Sequence, residues 1–144
     1  MIIHGMEEQI ENKKNIFEQY HEQIQQQINV TEFNMKDIQL GLPAARHYWV
    51  SRLMFHKQEI IKLKKLRKQA KQKVIAKMTE ASPVTLTMKT ADVSADEHPV
   101  VQKIDEQIAE NELLVEYLSK VESNFRSVSY DIGNIIKIIQ LETT

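Results

Sequence analysis

Between Arg46 and Lys77 the chain carries 11 Lys or Arg and a single acid, Glu59. Lys57, Lys64, Lys68 and Lys71 follow one another at intervals of seven, four and three, and Lys62, Lys65 and Lys73 widen the charged sector. On a helix that spacing gathers ammonium groups along one face. The chemistry open to such an array is capture of anions, phosphates above all, through charge-assisted hydrogen bonds and counterion release. A helix that needs only solubility interleaves Glu with Lys four residues apart, because those pairs stabilise it. Here like charges repel, so something acidic must answer them. Three kinds of answer fit: a nucleic acid, the acidic stretches of this chain or of another copy, or some other acidic partner.

Other residues that could do chemistry are sparser. His47, Tyr48 and Phe55 could offer stacking surfaces to unpaired bases, worth about 1–3 kcal/mol each where used. Trp49 falls on an apolar seam and is expected in the core. His4, His21, His47, His56 and His98 are scattered, with none at the four-residue spacing of a helical zinc pair. His56, on the same seam, reads as a hydrogen-bonded buried imidazole. Asp105-Glu106 and Glu110/Glu112 read as a solvated face. There is no Gly-rich phosphate loop and no nucleophile beside a base, so no catalytic residue, metal site or cofactor is expected. The expectation is a binding protein, not an enzyme.

The elements that must position the lysines follow from composition and period. In 144 residues there are 3 Gly, 3 Pro and 6% aromatics, the profile of long helices. The formal net charge of −1 conceals segments of opposite sign. Met1–Ala45 holds 3 basic and 7 acidic residues, and Met78–Thr144 holds 5 and 12. Zero Cys suits a reducing compartment, and no apolar run approaches the ~18 residues of a membrane span. The first six residues lack the features of a leader peptide, so an intracellular protein is expected. Residues 1–30 read as a polar helical extension with Ile10, Phe17, Ile24 and Ile28 in a thin stripe. Asn34 could cap a short turn that stops at Gly41, with Pro43 opening the basic helix over 44–80. Trp49, Leu53, His56, Ile60, Leu63, Ala70 and Val74 form its buried seam. Ala81-Ser82-Pro83 ends it. Val84–Met88 alternates with period two, so an extended connector is expected over 81–94. Ser94 or Asp96 would cap a C-terminal helix over 95–142, striped by Val101, Ile104, Ile108, Val115, Leu118, Phe125, Ile132, Ile136 and Ile139. The run Ile132–Ile139, which includes Ile135, is too apolar for water and points to association between copies. The fold class expected is therefore all-α, a long helical hairpin with a short extended connector.

In that order the segments resemble the UvsY-type recombination mediator proteins of tailed phages, over about Val30–Leu141. The resemblance is carried by His47-Tyr48-Trp49-Val50, then a Lys-rich helix ending in Lys73-Val74-Ile75-Ala76-Lys77, then Ala95-Asp96-Glu97. It continues with Tyr117-Leu118, Val121-Glu122 and Tyr130-Asp131-Ile132-Gly133-Asn134. Thr79 stands where the family often has Arg, and Ala81-Ser82-Pro83 replaces an aromatic-rich stretch. The resemblance implies a ring of six or seven copies that binds single-stranded DNA in the cytoplasm of an infected bacterial host. Such a ring helps load a RecA-like recombinase onto strands covered by single-stranded-DNA-binding protein. Lys57, Lys64, Arg67, Lys68, Lys71, Lys73 and Lys77 would line the strand. Leu118, Phe125, Ile132, Ile135, Ile136 and Ile139 would join the copies. The alternative is a structural assembly or adaptor protein whose basic helix pairs with a neighbour's Glu106, Glu110 and Glu116.

Overall fold

The computed structural model describes residues 16–81 and 87–144. Among these every regular element is an α-helix: α1 over 16–28, α2 Met35–Ala81, α3 Met88–Asp96 and α4 Pro99–Thr143. The described residues form an all-α fold, as composition and period imply. It divides into two units, one made of residues up to Ser51 with Leu118–Thr144, the other of Arg52–Tyr117.

In the first unit the buried side chains are Ile24, Leu42, Trp49, Leu118, Val121, Phe125 and Ile132. Those on α4 recur at three, four and seven residues, the interval that returns a helix to the same face. Trp49 is 2% exposed, and its indole N–H donates to Gln27 Oε1 at 2.7 Å while Tyr20 meets it edge-on. Residues 16–28 are therefore held within this unit; Ile10 lies outside the described residues.

The approach to α2 is closed by Asn34. Its Oδ1 accepts from the Thr31 N–H at 2.6 Å, its Nδ2 donates to the Asn29 carbonyl at 3.0 Å, and its own carbonyl accepts from the Ile38 N–H. The expected break at Gly41 and restart at Pro43 does not occur, because α2 runs through both. Leu42 explains this: it sits seven residues before Trp49 and is 4% exposed, so continuing the helix delivers it to the core. Burying a leucine gains about 1.5–3 kcal/mol, which offsets much of the cost of Pro43. At Gly133, in α4, a Cβ would stand in open space, with nothing beyond the adjoining helix backbone within 4 Å. Gly133→Ala should raise stability by about 1 kcal/mol in chemical denaturation, through reduced backbone entropy and better helix propensity.

In the second unit the buried set is Val74, Ala91, Ala95, Val101, Ile104, Ile108 and one polar residue, His56. His56 Nδ1 lies 2.9 Å from Asn111 Oδ1, and Asn111 Nδ2 donates to the Gln107 carbonyl. That second bond fixes the amide, so His56 is the donor. The buried imidazole is satisfied, as the seam implied. No buried side-chain N or O among the described residues lacks a partner.

The expected extended connector is corrected over its described part. Thr87 is the N-cap of α3, with its Oγ1 accepting from the Thr90 N–H at 3.2 Å, and Met88 is the first helical residue. Residues 84–86 lie outside those described. Ala91 and Ala95, four apart and buried, give α3 its inward face. The C-terminal helix begins at Pro99, not Ala95. His98 precedes it, with its carbonyl accepting from the Gln102 N–H and its Nδ1 from the Val100 N–H at 3.2 Å. Pro99 costs nothing there, since a first-turn N–H would have no partner.

Candidate nucleic-acid interface

Within the second unit α2 turns one flank toward α3 and α4 and leaves the remainder in solvent. The lysines divide accordingly. Lys57, Lys64, Lys68, Lys73 and Lys77 are exposed and make no ion pair with another described residue, and Lys65 behaves likewise. Lys62 lies 3.6 Å from Glu59, an exposed pair of little consequence. At about 100° per residue, Lys57, Lys64 and Lys68 fall within a ~40° strip some 16 Å long. Lys62, Lys73 and Lys77 form a second strip roughly 150° around the helix, with Lys65 between the two.

Lys73 and Lys77 stand beside a groove of about 360 Å³ whose lining includes Leu66, Ala70, Val74, Met78, His98 and Val100. Leu66 and Val100 are half exposed, at 49% and 51%. This apolar floor beside two ammonium groups was not foreseen from the sequence, because Val100 and Met78 meet only in the folded chain. Phe55 is 45% exposed, with the Arg52 guanidinium 6.0 Å from its ring centre. His47 and Tyr48 are exposed in the first unit.

Two members of the expected binding set are engaged elsewhere. Arg67 Nε donates to Asp105 Oδ1 at 2.6 Å, with Nη2 3.4 Å from Oδ2, and Nη2 also donates to Asp96 at 2.9 Å. Lys71 Nζ lies 2.8 Å from Asp92 and 3.0 Å from Asp96. These contacts hold both cations more firmly protonated than usual: Arg67 through hydrogen bonds to Asp105 and then Asp96, Lys71 through Asp92 and then Asp96. They also depress the Asp96 carboxyl, Lys71 contributing most and Arg67 next. The cluster thus persists across the neutral range. It is lost as pH falls through the lowered Asp96 value, or rises through the raised Lys71 value. The sequence held a signal for it. Arg67 and Lys71 are four apart, as are Asp92 and Asp96, so two one-turn pairs could face each other.

The residues expected to join copies also divide. Leu118, Phe125 and Ile132 are 1%, 0% and 1% exposed within the core of the first unit. They hold the chain's own fold together. Ile135 and Ile136 are 37% and 43% exposed, Ile139 is half-buried, and Ile138 and Leu141 beside them are 55% and 77% exposed. Among the described residues no helix is long and apolar enough to cross a membrane.

Comparison with protein-family models, with curated proteins and with solved structures gives no match to this chain.

Proposed function

We propose that the protein is a non-enzymatic mediator of DNA recombination. It binds single-stranded DNA along the exposed lysines of α2 and helps a RecA-like recombinase displace single-stranded-DNA-binding protein in an infected bacterial host. The observation that carries this reading is the set of ammonium groups on α2 that no described carboxylate answers: Lys57, Lys64 and Lys68 in one strip, Lys73 and Lys77 in the other, and Lys65 between them. Like charges so close together are costly to the isolated helix, and a polyanion would offset that cost. Copies joined through the outward apolar residues of α4's last turns, Ile135, Ile136, Ile138 and Leu141, would repeat the basic site. Repetition raises the effective concentration of sites along one strand, and a closed ring would gather that strand into a form the recombinase binds.

The test is a titration of a labelled oligonucleotide across a salt series, with the assembly's mass measured with and without DNA. Six phosphate contacts per copy predict a log–log slope of roughly −4. Binding that is absent or indifferent to salt would remove the proposal. The structural alternative keeps one foothold, since Glu106 and Glu110 are exposed on α4 and could meet a neighbour's lysines. Loss of assembly when the lysines are neutralised, without measurable DNA affinity, would select it.

A further inference from the structure

We propose that α3 is a built-in competitor for the polyanion. Its Asp92 and Asp96 carboxylates occupy Lys71 and part of Arg67, and a bound strand gains Lys71 only by taking their place. The inference rests on the DNA-binding reading and adds regulation to it.

Four observations support it. Lys71 belongs to the same seven-four-three row as Lys57, Lys64 and Lys68, yet it alone of those four is withdrawn from solvent, its side chain 19% exposed. What withdraws it is a pair of carboxylates one helical turn apart, 2.8 and 3.0 Å from its Nζ, so two of its three donors are used. The carboxylates are open on their other side, with side-chain exposures of 58% for Asp92 and 42% for Asp96. Salt and competing anions can therefore reach the pairs, and pairs of that kind are weak and screened. Finally, α3 is 9 residues long and its buried residues are two alanines, Ala91 and Ala95. That small apolar face leaves the ion pairs a large share of its docking.

Arg67 behaves differently. Its two-point contact with Asp105 comes from α4, so loss of α3's charge leaves it held. Removing the competitor should thus release one cation, not two.

The experiment is a double-mutant cycle read as the salt slope of oligonucleotide binding. Asp92→Asn with Asp96→Asn keeps side-chain shape and removes both charges. It should steepen the slope by about 0.7, the increment of one phosphate on a single strand, and raise affinity several-fold at 0.15 M salt. Lys71→Gln should change neither quantity in the parent protein and should abolish the gain in the double variant. If the double variant loses helicity, Asp92→Asn alone is the second variant: Asp96 then still holds Lys71 and Arg67, so the gain should be smaller than for the pair and should again vanish on Lys71→Gln. An unchanged slope in a folded variant, while the parent binds DNA normally, would overturn the competitor and leave the DNA-binding reading intact. So would an equal loss on Lys71→Gln in both backgrounds. Binding that appears only in the variant would support the inference; no binding by either protein would remove both.

Discussion

Converting Lys64, Lys68, Lys73 and Lys77 together to alanine is expected to weaken single-strand binding by roughly 10²-fold at 0.15 M salt. The figure comes from counterion release. Four phosphate contacts at about 0.7 each lower the log–log slope by about 2.8, which at that salt corresponds to a little over two decades. The choice of residues matters. All four are exposed and have no described ionic partner, and alanine is the best helix former, so the fold should stand. A set including Arg67 and Lys71 would confound the result, since their loss strips Asp92, Asp96 and Asp105 of their partners. Unchanged circular dichroism with the slope reduced by that amount is the expected outcome. An affinity within threefold of the parent, with the slope intact, would show that the strand uses neither strip of α2.

Phe125→Ala should destabilise the folded chain by about 3–5 kcal/mol, the usual cost of truncating a fully buried phenylalanine. Its side chain is 0% exposed among Leu118, Val121 and Ile132, all of which the same unit buries. For a chain of this size the midpoint of thermal unfolding should fall by roughly 10 °C or more. The fall should persist on dilution, because the lost contacts lie within one copy. Ile136→Ala, at 43% exposure, should leave the midpoint nearly in place and act on assembly if that face joins copies. An unchanged midpoint for Phe125→Ala with dissociated copies would return Phe125 to the interface that the apolar stripe suggests.

That stripe shows where sequence reading succeeds and where it stops. Three- and four-residue recurrence located α2 and α4 and placed Trp49, His56, Val74, Ile104 and Ile108 inward, because a helix exposes its period directly. It could not say what covers the stripe. Leu118, Phe125 and Ile132 look the same whether buried by a neighbour or by the chain itself. The loss of α3 to an extended reading has a local cause: Val84–Met88 alternates like a strand, but Thr87 acts as a cap and starts a helix at Met88. Gly41 and Pro43 misled in the opposite direction, since local propensity is a weak prior and a buried Leu42 between them outweighs it. For the binding face the charge density was legible and its use was not. Arg67 and Lys71 meet acids 21 to 38 residues away, pairings that the matched four-residue spacings allow and that the folded chain fixes.

The bond between His56 and Asn111 has a mechanical consequence. Uniform rows of Val, Ile and Leu are slippery, and two helices that meet along them can trade one alignment for another a turn, about 5.4 Å, away. Such a slide would strand an imidazole N–H and an amide oxygen in oily surroundings, at about 1–3 kcal/mol for each lost partner. The pair therefore acts as a detent. It indexes one notch of α2 against one notch of α4, and Arg67, about three turns further along, meets Asp105 because that notch is engaged.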